Sequence, residues 1–414
     1  MNRRFSTTVL VAVLMPGLIL GWLGFSARMR LVAAPAGPER NGEVNPLSRA
    51  YTGFALKLLS RLVDDHPQEN VLFSPASVAV ALAMTYHGAA GETRKDMARV
   101  LGVQDLELAA FHEANRHWLT ALEAADPKAR VTLANSLWAR QGFPFHESFL
   151  ETNRRYYAAH IQQLDFEHPG SPDTINAWVR QKTRNKIAGI VDRIDRDHLL
   201  FLINAIHFKG SWSTRFERAA TRDGSFTLAD GTPVTHPLMS RTGRFQYYQG
   251  DGFQAVRLPY GAGRTGMYVF LPSTHTGLAG LVDALTPETW ARSLAGFGEA
   301  EGYLVLPRFR METKYELAGP LKALGMELAF DPEQADFSAM CPVPPNVYIG
   351  SVKHKAVVDV DEEGTEAAAV TSVEIRVESM PRGFHMVVDR PFLFAIRDDK
   401  TGMILFMGTV LDPR

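Results

Sequence analysis

Residues 348–378 read YIGSVKHKAVVDVDEEGTEAAAVTSVEIRVE, from Tyr348 to Glu378. Successive side chains of a strand point to opposite faces, so parity separates the two faces of such a stretch. From Val352 the even positions are Val352, His354, Ala356, Val358 and Val360: apolar, with one histidine. The odd positions are Lys353, Lys355, Val357, Asp359 and Asp361. This is a half-buried strand of period two. Glu362-Glu363-Gly364 interrupts it, and a second alternating run follows for 13 residues, Thr365 to Val377. Its odd side is Thr365, Ala367, Ala369, Thr371, Val373, Ile375 and Val377. Its even side is Glu366, Ala368, Val370, Ser372, Glu374 and Arg376. Ser379-Met380-Pro381-Arg382-Gly383 ends the pattern.

Two readings fit. One is an ordinary strand pair hinged at Gly364. The other notes that a strand meant for permanent burial rarely opens Thr-Glu-Ala-Ala-Ala, because alanine is a poor strand former and buries little. Small side chains at the leading end suit a segment that slides between neighbours.

Around this stretch the chain mixes helices and strands. Ala50–Leu62 places apolar residues at helical spacing. Ser77–Tyr86 is apolar nearly all round, and Ser74-Pro75 before it is a helix start. Asp173–Lys186 reads as a polar-faced helix. Val131–Ala139 and Leu199–Phe208 read as buried strands. Ala255–Tyr260 with Met267–Pro272, and Pro391–Arg397 with Met403–Val410, form hairpin patterns. Helices cluster early and strands late, which predicts an α+β fold.

The 414 residues are 46% hydrophobic and 21% charged, with a net charge of -1, which excludes a disordered or low-complexity chain. That charge also argues against a nucleic-acid partner. The single cysteine, Cys341, forbids an internal disulfide and a cysteine-cluster metal site, and its apolar surroundings predict a buried thiol.

Residues 5–27 carry no charge, and Thr7–Phe25 is a 19-residue apolar run. That length just spans a bilayer, whereas signal-peptide cores run about 7–15 residues. Arg28 and Arg30 suit a retained anchor. Ala34-Pro35-Ala36 resembles a cleavage site, and Pro16, Gly17 and Gly21 weaken a long helix. Residues 1–36 are therefore a signal peptide or a membrane anchor, and both readings stand. Residues 37–47 read as a linker and 48–414 as the working domain. The protein is expected to be exported, extracellular or periplasmic. The absence of Asn-x-Ser/Thr sites and of disulfides fits bacterial export.

Enzyme motifs mostly fail. Gly261-Ala262-Gly263-Arg264-Thr265-Gly266 matches GxGxxG, but it lies between two strands, where a phosphate site needs a following helix. His146-Glu147 lacks the second histidine of a zinc helix. There is no GxSxG, HExxH or P-loop.

EEGTEAAAVT (Glu362–Thr371) resembles the hinge of inhibitory serpins, and the likeness extends over about residues 48–413. NVLFSPASVAVAL (Asn70–Leu82) is similar to the family's buried second helix, and INAIHFKGSW (Ile203–Trp212) to its third large-sheet strand. Leu258–Tyr260, Phe270–Pro272, Leu306–Phe309, Leu324–Met326, Ala335–Ser338, His354–Ala356 and Asp389–Ile396 fit in order. The resemblance implies three β-sheets with about nine helices and an exposed reactive loop at about 362–383. It implies a suicide inhibitor of serine endopeptidases, with cysteine endopeptidases as a second target class, rather than an enzyme, acting as a monomer without cofactor or metal. After cleavage the loop would insert into the large sheet, an event known for serpins as strand addition, and would bury Val373, Ile375 and Val377. A non-inhibitory carrier, chaperone or structural partner is the alternative. The hinge discriminates: a charge or proline at Thr365, Ala367 or Ala369 would favour the carrier, and none occurs.

The resemblance carries roles onto single residues. Glu362, Glu363, Gly364, Thr365, Glu366, Ala367, Ala368, Ala369 and Val370 match the hinge. Ser74, Ser77, Asn204 and His354 match the shutter, where the sheet parts. Trp212 and Glu362 match the breach, where the strand enters. Ordinary packing and a solvated carboxylate are their plainer readings. Counting 17 residues from Glu362 puts the scissile bond at Glu378-Ser379. Counting back from Pro391 gives Met380-Pro381, a poor protease substrate. Arg376 and Arg382 are further alternatives. A glycosaminoglycan site is not expected, since Leu106–Ala129 holds only Arg116 and Lys128 as basic residues. Membrane contact is expected only through residues 5–27.

Overall fold

The computed structural model describes residues 45–123, 126–195, 198–365 and 383–414. Nine α-helices lie in these residues: α1 (Pro46–Asp65), α2 (Pro75–Tyr86), α3 (Gly91–Leu101), α4 (Leu108–Glu123), α5 (Glu147–Tyr157), α6 (Ser171–Lys182), α7 (Gly277–Asp283), α8 (Pro287–Gly296) and α9 (Ala318–Ala323). The strands are β1 (Val71–Phe73), β2 (Ala129–Arg140), β3 (His160–Leu164), β4 (Leu200–Ser211), β5 (Arg222–Thr227), β6 (Pro233–Gly250), β7 (Phe253–Tyr260), β8 (Thr265–Pro272), β9 (Gly298–Pro307), β10 (Phe309–Glu316), β11 (Lys353–Val360), β12 (Gly364–Thr365), β13 (Phe384–Val387), β14 (Phe392–Asp398) and β15 (Ile404–Val410).

A six-stranded sheet has the order β10-β11-β12-β4-β2-β3. The other nine strands are linked through the 18-residue β6, which serves two sheets. Its residues 238–247 pair with β9, and 246–250 pair with β7. The fold is therefore α+β with three sheets, as the sequence predicts.

Helix α2 shows why a sequence apolar on every side still forms one element. It packs against β4 of the six-stranded sheet and β15 of another, so neither face meets water. Ser74 starts it by accepting a 3.2 Å bond from the Ser77 N–H, with Pro75 in the first turn. The parity of β11 is also as expected: His354, Ala356, Val358 and Val360 are buried, and the residues between them half-buried.

Helix α6 is shorter than its sequence pattern. It ends at Lys182 rather than Lys186, because Arg184 and Asn185 adopt left-handed backbone angles that no helix continues through. The GxGxxG stretch joins the antiparallel strands β7 and β8, with Gly261 and Gly263 at positive φ. Cys341 is fully buried, and burial pushes its thiol pKa up. Among the described residues no helix is long and apolar enough to cross a membrane. The anchor or signal reading of residues 1–36 lies outside the described residues.

Candidate functional site

Between β4 and β11 sits a strand of two residues. In β12, Thr365 is registered against Val360 of β11 and Gly210 of β4, and Gly364 against Ser211. Among the described residues no ladder joins β4 directly to β11 below this point. Gly364 is obligatory here. Its φ is +146°, and a Cβ would lie 2.1 Å from the Gly210 carbonyl oxygen. Asp361 builds the turn before it, accepting from the N–H groups of Glu363 (2.8 Å) and Gly364 (3.1 Å). The chain is pinned again at Gly383, φ +147°, where a Cβ would meet the Glu301 carbonyl.

Side chains from distant parts of the sequence converge on this strand end. Thr365 is buried, and its hydroxyl lies 2.7 Å from that of Tyr260. Burial pushes the Tyr260 phenol pKa far up, so it stays protonated. Trp212 stacks on Tyr260 with ring centroids 4.3 Å apart, and its indole N–H donates to the Asp361 carbonyl at 2.9 Å. The Trp212 and Phe216 backbone N–H groups donate to the Glu363 and Glu362 carbonyls, each at 3.0 Å.

Glu362 is a buried carboxylate, not a solvated one. Arg308 reaches its Oε1 through Nε (2.8 Å) and through an Nη (2.5 Å), and the Thr221 hydroxyl donates to the same oxygen at 2.5 Å. Burial alone would push this carboxyl pKa up. The bonds from Arg308 and Thr221 outweigh it and hold the group below the usual carboxylate range. Glu363 is also buried, and Arg215 reaches it at 2.7 Å as an ion pair. Sequence reading placed Tyr260 and Arg308 within the family motifs but gave neither a role at the site, and it did not single out Thr221 or Arg215.

Three of the residues matched to the shutter, Ser74, Ser77 and His354, meet lower down. His354 Nε2 accepts the Ser74 backbone N–H at 3.0 Å, and the Ser74 hydroxyl in turn holds Ser77. The backbone of Asn204 is registered against Asn135 of β2; its side chain lies outside what is described. Accepting from an N–H makes His354 neutral, with its proton on Nδ1. Burial lowers its pKa to about 4. The unfolded chain takes up this proton near pH 6.5. Stability is therefore unaffected by His354 above that pH and is lost as pH falls from 6.5 toward 4. The loss by pH 5 is about 2 kcal/mol for this one group. Denaturant titrations at pH 7 and pH 5 should show that fall, and a smaller one in His354→Gln. Equal falls in both proteins would contradict it.

The hinge residues Glu366, Ala367, Ala368, Ala369 and Val370 lie outside the described residues. So do the scissile candidates Arg376, Glu378, Ser379, Met380 and Arg382. Among the described residues no three His, Cys, Asp or Glu side chains are grouped to hold a metal ion.

The fold and this site define an α+β protein whose six-stranded sheet carries the seated first residues of one further strand. The chain belongs to the serpin family. The family model described as "Serpin (serine protease inhibitor)" matches residues 49–413. Iripin-2 of Ixodes ricinus is 35% identical over 372 residues, covering 88% of this chain and 93% of that protein. The native-state structure of the thermophilic serpin tengpin superposes with a TM-score of 0.82 at 31% identity, covering 92% of this chain and 97% of tengpin. Human thyroxine-binding globulin, solved in complex with thyroxine, superposes with a TM-score of 0.80 at 25% identity, covering 89% of this chain and 98% of that one. The family is generally one of protease inhibitors and not of enzymes.

Proposed function

We propose that this protein is a suicide-substrate inhibitor of serine endopeptidases, with cysteine endopeptidases as a second target class. The observation that carries the reading is β12: the first two residues of a strand are seated between β4 and β11, whose remaining facing edges share no ladder among the described residues. The target's nucleophile would attack the carbonyl of Glu378, forming an acyl ester there and releasing the amino group of Ser379. Residues 365–377 would then extend β12. Continuing its register two residues at a time would set Thr371 opposite His354 and Asn204, and Val373 opposite Val352 and Leu202. Thirteen residues at about 3.3 Å each carry the acylated protease roughly 43 Å. The uncharged odd positions Thr365, Ala367 and Ala369 let the leading end enter without burying a charge. Export, through the uncharged run of residues 5–27, would bring the protein to extracellular or periplasmic proteases as a monomer.

The test is a panel of serine and cysteine proteases followed by denaturing gels. An SDS-stable adduct with a fragment ending near residue 378 is expected. Cleavage without adduct for every protease would instead favour a carrier; thyroxine-binding globulin, of the same fold, is solved in complex with thyroxine.

A further inference from the structure

At the foot of the six-stranded sheet, the end away from Thr365, lies a cavity of about 290 Å³. It sits at the lower end of the size range of small-molecule sites, roughly 300–1,000 Å³. Leu82 of α2 lines it, with Ile190, Val191, Phe337, Met340 and Val347 from the flanking loops. Its two sides are the first residues of β4, Leu200, Phe201 and Ile203, and the lead into β11, Val352 and Lys353. Thus it lies between the two strands that share only β12.

The polar groups at this cavity include a lysine, a histidine and one carboxylate, Asp195. Lys353 makes no ion pair among the described residues: the Asp192 carboxylate that feels its charge is bonded instead to Lys314 at 2.8 Å. Its cross-strand neighbour, Glu316, is engaged elsewhere, by the Ser351 hydroxyl at 2.5 Å and the Val352 N–H at 2.8 Å. His198 Nδ1 accepts the Asp195 N–H at 2.8 Å, which leaves Nε2 as a donor. Asp195, the acidic residue of the lining, is paired with Arg193 at 2.6 Å. An apolar interior bordered by a lysine ammonium and an imidazole N–H suits a ligand with an apolar body and one carboxylate.

We propose that this cavity binds a small apolar carboxylate of the medium-chain fatty-acid class, and that occupancy blocks the last part of strand insertion. The register of β12 would bring Val373 between Val352 and Leu202, so ligand and incoming strand compete for one space. The binding site stands by itself; the effect on insertion rests on the inhibitor reading.

Calorimetric titration of the intact protein with decanoate, and with decan-1-ol as the uncharged control, tests the site. Saturable one-to-one binding of decanoate is expected, at least about tenfold tighter than the alcohol, the size of one charge-assisted hydrogen bond. Lys353→Met should remove that preference while its circular dichroism matches the parent. No saturable binding, or an unchanged preference in Lys353→Met, overturns the site. With a protease that forms adduct, saturating decanoate should divert the protein from adduct to cleaved substrate. An unchanged adduct yield overturns the competition. Absence of adduct even without decanoate would count against the inhibitor reading alone, because the titration still decides the site.

Discussion

Thr365→Arg is expected to convert the protein from inhibitor to substrate: cleavage persists and the stable adduct disappears. Thr365 is buried at 2% exposure, with its hydroxyl against Tyr260 and its backbone between Val360 and Gly210. No carboxylate is bonded to it there, so an arginine would carry an unpaired charge into the sheet. The effective penalty for a buried ion is several kcal/mol even after relaxation. Trapping is a race between insertion and deacylation, and each 1.36 kcal/mol added to the insertion barrier slows it tenfold. About 3 kcal/mol therefore shifts the outcome on the order of a hundredfold toward deacylation. Gel densitometry of adduct against cleaved fragment reads this ratio directly. Unchanged trapping in the variant would contradict insertion through this strand. Thr365→Ser, which keeps the hydroxyl, should trap as the parent does.

The parts of this site that sequence reading found are those with local periodicity. The even face of β11 was legible because a half-buried strand writes its burial at every second residue, and His354 stood out as the one polar residue on that face. Gly364 was legible as an interruption, though not the reason for it, which is the Gly210 carbonyl 2.1 Å from where its Cβ would be. The clamp around it was not legible. Arg308 and Glu362 are 54 residues apart, Tyr260 and Thr365 are 105, and Trp212 and Asp361 are 149. Such pairs meet only because β4, β7, β10 and β12 end at one place. A carboxylate beside a turn, as Glu362 stands in the sequence, reads as solvated until the arginine between β9 and β10 is known. The long α6 pattern failed for a related reason. Residues 183–186 keep a helical composition, but helix-incompatible backbone angles at Arg184 and Asn185 end the helix before them.

Removing Arg308 should loosen the head of the sheet more than removing its partner. In Arg308→Met the Glu362 carboxylate stays buried, keeps only Thr221 as side-chain donor, and loses its countercharge. Breaking a buried pair from one side costs about 3–5 kcal/mol. Arg308 is 42% exposed, and water screens what remains of it when Glu362 is replaced, so Glu362→Gln should cost less. The pH dependence follows from the lowered carboxyl pKa. The contribution is present above the unfolded carboxylate range, near pH 4.3, and is lost as pH falls through the lower folded value. In Arg308→Met the carboxyl pKa should rise instead, so that acidification relieves rather than weakens the site. A double-mutant cycle at pH 7 separates these terms. The expected coupling between Arg308→Met and Glu362→Gln is on the order of 2 kcal/mol, because the double variant no longer buries an unpaired charge. A coupling near zero would mean that the pair does not hold the strand end, and that the Trp212–Tyr260 stack with the backbone bonds to residues 361–363 carries it alone.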